Sequence, residues 1–278
     1  MAESPGPILV AHLYAKVEER LIDLLRSLGP DEWERETIVP GWKVREIVAH
    51  LLDTQLRRLS LARDGYLHEP PTINSPADLV AFINRLNGEG VSLYRRLSAP
   101  VLISLMEVAS RECAAHFGSL DPFAPARFAV SWAGDAESRN WFDTARELTE
   151  RWHHQQQIRL AVDRPGIMTR ELYFPVLDAF MRALPFHYRE VARAPGRMAQ
   201  FDIVGDCGGS WHLLREADRW TLTAAPAGER ISLTTIPQEI AWRIFTKGID
   251  RDAAQSQVDC QGDREAGLHV LRMLAIVG

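Results

Sequence analysis

Thr149-Glu150-Arg151-Trp152-His153-His154 stands inside a segment whose pattern predicts a helix from about Asn140 to Val162. Glu150 and His154 are four residues apart, a spacing that stacks two side chains on one helix face, one turn apart. A carboxylate oxygen and an imidazole nitrogen so placed are two corners of a zinc-like site. The same pair is common on a solvated helix face, so a third ligand has to decide. His50, in Ile47-Val48-Ala49-His50-Leu51-Leu52, is the candidate. It lies at the flank of an apolar seam, where a lone histidine is otherwise a hydrogen-bonded boundary residue.

The predicted helix has two faces. Trp141, Ala145, Leu148 and Trp152 form one stripe, and Asp143, Glu147, Glu150 and His154 the opposite one. The ligand stripe is therefore either wet or turned to a polar cleft while the tryptophans pack elsewhere. His153 falls nearer the tryptophan side, as packing or surface, and Gln155, Gln156 and Gln157 are expected to be a surface run.

Upstream, Leu9, Leu13, Val17, Leu21, Leu24, Leu25 and Leu28 predict a helix opened by Pro7 and stopped at Gly29-Pro30. A second helix runs from about Val44 to Asp64 behind the turn Pro40-Gly41-Trp42. Ser75-Pro76-Ala77-Asp78 starts a third, to about Leu97, with serine as cap and proline in the first turn. Ser98-Ala99-Pro100 repeats that signal for a helix to Phe117. Residues 118–139 form a long irregular connection, a length often tied to function.

Downstream the pattern changes. After a linking helix over about Thr169 to Arg193, residues 198–204, 210–215, 219–224 and 230–235 read as short strands between Gly- and Asp-rich turns. Pro237 opens a helix through Phe245 that Gly248 stops. Residues 257–261 are a further strand, and 264–277 a closing helix. The fold class is thus α+β: a helical bundle over 1–166, a linking helix over 167–197, and a smaller domain over 198–278 with a mostly antiparallel sheet.

The chain has 278 residues, 46% of them hydrophobic and 25% charged, with a net charge of −5, a globular composition without the basic face a nucleic-acid binder needs. The N-terminus lacks the basic start and apolar run of a signal peptide, and no apolar stretch approaches the ~20 residues of a membrane span. Cys113, Cys207 and Cys260 are odd in number and widely spaced, as in a reducing compartment. A cytoplasmic protein with small-molecule partners, monomeric or homodimeric, is expected. No GxGxxG, P-loop, HExxH or GxSxG motif occurs.

Pro40-Gly41-Trp42-Lys43-Val44-Arg45-Glu46-Ile47-Val48-Ala49-His50-Leu51 resembles the PGW-x-V-x-x-(I/V)-x-x-H-L segment of the mycothiol-dependent maleylpyruvate isomerase family. Glu150 to Arg159 is similar to that family's E-x-W-x-H-x-x-D-(I/L)-R segment, with Pro165-Gly166 following. The resemblance spans most of residues 8–166. It implies a DinB-like four-helix bundle whose divalent metal, zinc above all, is held by His50, Glu150 and His154, followed by a sterol-carrier-like α+β domain. It also implies mycothiol, the low-molecular-weight thiol of actinobacteria, as thiol cofactor. Trp242 to Gly248 resembles a helix end of the second domain, which puts Lys247 where an arginine acting on substrate is usual. Two other departures are Lys43, where threonine commonly caps the second helix, and Gln157, where aspartate is usual.

Three protein ligands leave one coordination position for water or a thiol. The implied isomerase chemistry adds a thiolate to a conjugated cis double bond, lets the resulting single bond rotate, and eliminates the thiol to leave the trans isomer. A cation must hold the substrate's carboxylate or developing enolate; Lys247, Arg215 and Arg219 are all candidates. An isomerase or thiol S-transferase is expected. The alternatives are a metal-dependent hydrolase with water in the open position and a non-enzymatic protein that holds a small ligand in the cleft between the domains.

Overall fold

A computed structural model describes residues 3–68 and 70–276. Met1, Ala2 and Val277, which entered the readings of the N-terminus and of the closing helix, lie outside the described residues. The first half contains α1 (Ala11–Ser27), α2 (Pro30–Trp33), α3 (Val44–Arg58), α4 (Pro76–Tyr94), α5 (Ala99–Ser119) and α6 (Asn140–Val162). In α1 the predicted seam is buried from Leu13 to Leu25, but Leu9 is 51% exposed and the helix begins only after Val10. A five-residue π-helical stretch, Leu59–Arg63, carries α3 on towards Asp64, where the second helix was expected to end. The Ser75 hydroxyl accepts the Asp78 N–H and caps α4 as its sequence suggests; Ser98 makes no such side-chain bond at α5. Lys43 cannot accept a capping bond, yet its own N–H donates to Glu46 Oε2 at 3.0 Å, so half of a capping box survives.

Helices α1, α5, α3 and α6 each pack on the next and close a four-helix bundle, with α4 leaning on α3 from outside. Leu21, Leu25, Val48, Leu52, Met106 and Ile158 are among the side chains that fill its centre.

The second half contains α7 (Arg170–Met181), α8 (Leu184–His187), strands β1 (Arg197–Val204), β2 (Gly209–Arg215), β3 (Trp220–Thr223), β4 (Glu229–Pro237) and β5 (Asp259–Gly262), and helices α9 (Gln238–Phe245), α10 (Arg251–Gln255) and α11 (Arg264–Leu268). The sheet order is β3-β2-β1-β4-β5. Every pair is antiparallel except β1 with β4, so the domain is α+β with a mostly antiparallel sheet.

Three helix ends differ from the sequence pattern. The linking helix breaks after Met181, where Arg182 and Ala183 N–H groups turn back to Ala179 and Phe180; Pro185 then brings no N–H, and the chain runs without helix from Tyr188 to β1. At the end of α9 it is Lys247, not Gly248, that takes the left-handed conformation, with φ 61°. Gly248 serves close approach instead: a Cβ there would sit 2.9 Å from Ile38 Cδ1. The closing helix stops at Leu268, and a 3-10 turn reaches Arg272. Beyond it Ala275 N–H donates to Phe245 O, which holds the chain extended along α9.

One apolar cluster crosses the whole molecule. It joins Val10, Leu13 and Val17 of the N-terminal segment to Leu148 and Trp152 of α6, to α7, and to the sheet and α9. The Trp152 ring stacks on Tyr173 at 4.2 Å, meets Trp242 edge-on at 6.2 Å, and donates its N–H to Ile167 O. The tryptophan stripe of α6 therefore packs against the second half, and the opposite stripe meets Arg58 and His50 of α3. Covered on both sides, α6 is buried at every residue from Arg151 to Arg159. Gln155, Gln156 and Gln157, expected at the surface, are 0%, 8% and 3% exposed.

Candidate metal centre

His50 projects from the middle of α3, and Glu150 and His154 project one turn apart from α6. One ligand atom from each lies within 4.8 Å of the other two. The turn before α3 places a ring beside the group: Gly41, at φ 76°, reverses the chain so that Trp42 N–H bonds Val39 O and its indole comes within 5.2 Å of the His50 ring. The His50 and His154 rings meet edge-on at 4.7 Å.

His154 Nδ1 bonds Gln157 Oε1 at 2.8 Å, which makes Nδ1 the protonated nitrogen and leaves the Nε2 lone pair free. Nε2 lies 3.6 Å from Glu150 Oε2, too far for a hydrogen bond. That separation is close to the edge of a tetrahedron, about 3.4 Å for ligands 2.0–2.2 Å from an ion. His50 Nδ1 is buried without a hydrogen-bond partner, a costly state that a cation would relieve. His153 stays out of the group; its Nδ1 bonds Thr149 O and its ring packs on His154 at 4.0 Å.

The electrostatics suit a cation. Burial lowers His50 to about 3, with Arg57, Arg151 and His153 adding to the effect. Burial, then His153 and His50, drive His154 well below the ordinary histidine range. Both imidazoles are thus neutral ligands. Burial raises Glu150 to about 7, against the pull of Arg146 and Arg151 and with the push of Glu147. Two neutral imidazoles and a carboxyl that ionises reluctantly alone form a donor set that fits a zinc-class divalent ion.

Beside the ligands lies a buried network that polarity on one stripe hinted at but spacing could not assemble. Arg58 donates to both oxygens of Asp143 and, at 2.6 Å, to Glu147; Arg146 bonds the same two carboxylates. Phe128, from the long connection, lies under the Arg58 guanidinium at 4.6 Å. Burial pushes Glu147 up, but Arg58 and Arg146 outweigh it and hold it at about 2. The two cations and two anions cancel, so no uncompensated positive charge stands beside Glu150.

The three basic residues read as substrate partners are not gathered at these ligands. Arg215 ends β2 with Nε and Nη1 buried and unpartnered, and Arg219 pairs with Glu216 across the β2–β3 turn. Lys247 sits in the turn whose Gly248 abuts Ile38, in the same loop as Trp42. The cations acting on the ligands are Arg57, Arg146 and Arg151 of the bundle.

Residues 14–159, just over half of the chain, match the family model for the mycothiol maleylpyruvate isomerase N-terminal domain. Two solved structures align over most of the chain. A crystal structure of the mycothiol-dependent maleylpyruvate isomerase is 13% identical, covers 84% of this chain and 85% of its own, and has a TM-score of 0.46. A crystal structure of a histidine-to-alanine mutant of the mycothiol-dependent maleylpyruvate isomerase is 12% identical, covers 91% and 90%, and has a TM-score of 0.48. No curated protein matches the sequence.

Proposed function

The chain belongs to the mycothiol maleylpyruvate isomerase N-terminal-domain family, and from that premise we propose a divalent-metal-dependent, mycothiol-using enzyme, an isomerase or thiol S-transferase acting on a small electrophile. His50, Glu150 and His154 are its metal ligands, and zinc is the ion their chemistry favours. The observation that carries this reading is the convergence of three ligand atoms from two helices within 4.8 Å.

His50, Glu150 and His154 would hold the divalent ion, which would supply the Lewis acidity that favours a thiolate at neutral pH. The rest is the work of the chain. Gln157 fixes the ring and tautomer of His154. Trp42 covers His50 and keeps water from that side. Arg58 and Arg146 keep Asp143 and Glu147 as fixed, balanced charges, so that Glu150 alone exchanges its proton for a cation. Of the cations weighed for the substrate's carboxylate, Lys247 is favoured over Arg215 and Arg219, because its turn packs against the loop that carries Trp42.

Elemental analysis of protein purified without chelator tests the site: about one ion per chain is expected, lost in His154→Ala. Metal-free wild type with an unchanged His154→Ala variant sinks the enzyme reading. Turnover of a cis-enone or a soft electrophile by the loaded protein should require thiol. Equal turnover without thiol transfers the assignment to a hydrolase.

A further inference from the structure

A cavity of about 530 Å³ opens between the start of α1, the end of α5 and the start of α6, and it shares no residue with the metal centre. Small side chains make the room: Ala11 and Ala15 on α1, Ala114 and Gly118 on α5. Phe117 and Trp141 supply aromatic walls. Each ring is held by a neighbour, Phe117 by Tyr14 at 4.9 Å and Trp141 by Phe142 at 5.1 Å. Among the described residues no Asp, Glu, Lys or Arg lines the cavity, and His12, its one titratable side chain, is exposed.

Two polar side chains on the wall point to a ligand. Asn140 and Thr144 stand one turn apart on α6 and so share a face. Both line the cavity, and they are only 8% and 5% exposed. Among the described residues the Thr144 hydroxyl has no hydrogen-bond partner. Asn140 donates its amide N–H to Asp121 O at 2.9 Å, while its Oδ1 accepts from no described residue. Polar atoms left unpaired in an apolar wall are costly. Together they offer one acceptor and one hydroxyl that both donates and accepts.

We propose that this cavity binds a small uncharged aromatic molecule that carries a hydroxyl group, a phenol in class. Its ring lies between Phe117 and Trp141, and its hydroxyl donates to Asn140 Oδ1 and accepts from Thr144 Oγ1. A charged guest is disfavoured, because it would lose its hydration without gaining a counter-charge. The volume is that of a small-molecule site between helices of a bundle. The proposal does not depend on the metal reading.

Equilibrium dialysis of 2-naphthol against the protein tests it, with naphthalene and 2-naphthoate as comparison probes. Saturable one-to-one binding of 2-naphthol is expected, with naphthalene about tenfold weaker and 2-naphthoate weaker still. Thr144→Val keeps the shape of the side chain and removes the unpaired hydroxyl. Affinity for 2-naphthol should then fall about three- to tenfold, while affinity for naphthalene does not fall and Tm holds or rises. Ala15→Phe, at an exposed position, fills the cavity and should abolish binding of both. His154→Ala should leave 2-naphthol binding unchanged. The proposal is overturned if 2-naphthol fails to bind, if naphthalene or 2-naphthoate binds as well as it does, if either Thr144→Val or Ala15→Phe binds it like wild type, or if His154→Ala abolishes binding.

Discussion

Gln157 shows how a residue that departs from its family's pattern can keep part of that residue's work. Its amide oxygen accepts a hydrogen bond from His154 Nδ1–H at 2.8 Å, as a carboxylate would, but brings no charge. Gln157→Leu should therefore keep the fold and weaken metal binding by about 10- to 100-fold, measured by competition with a chromophoric chelator. Gln157→Glu should bind more tightly than wild type, because an anionic partner raises the basicity of the ligand. That His50, Glu150 and His154 come together was legible from spacing and resemblance: one turn of helix separates Glu150 from His154, and a matched segment surrounds His50. Gln157 was misplaced because three consecutive glutamines look solvated, and polarity alone does not tell a surface from the lining of a cleft.

At the level of elements, α6 is where sequence pattern fell short. Its one apolar stripe predicted one buried face, yet Arg151 is 1% exposed on a second. Arg151 reaches into the bundle to bond both oxygens of Glu18 from α1 and the Leu51 carbonyl of α3, and Ser110 of α5 donates to the same Glu18. This network touches all four bundle helices, and no local period reveals partners 133 residues apart. Arg151→Met leaves Glu18 charged and buried, and should cost about 3–5 kcal/mol in chemical denaturation. The double variant Glu18→Leu with Arg151→Met should recover much of that loss. Helix α1 was readable because it has a solvated side, which keeps the 3-4 spacing of apolar residues visible; α5 was read from its start signal, Ser98-Ala99-Pro100. The linking helix was overextended because the fold-back at Arg182 and Ala183 is set by packing and carries no strong turn residue.

At the scale of the molecule, the cluster through Trp152 makes bundle and sheet one cooperative body. Trp152→Ala should cost about 3–5 kcal/mol and lower one shared transition; circular dichroism and fluorescence should still report the same midpoint. Acid should weaken the closure at the C-terminus. His187 Nε2 and His269 Nε2 bond each other's backbone carbonyls with rings 4.5 Å apart. Burial lowers His187 to about 4, with His269, Arg189 and Arg272 adding and the backbone bond opposing. The unfolded chain takes up this proton near pH 6.5, before the folded one does, so the contribution is whole above that pH and fades as pH falls towards 4. Denaturation midpoints at pH 7.5, 6 and 5 should fall more steeply in wild type than in His187→Gln. The stacking of Trp152 on Tyr173 and Trp242 also orders events during synthesis. His50, Glu150 and His154 have all been translated once Val162 has been added, but the surfaces that seat the helix bearing two of them are translated later. The geometry of the three side chains is therefore completed only in the finished chain, and an ion held by them would enter after release rather than during elongation.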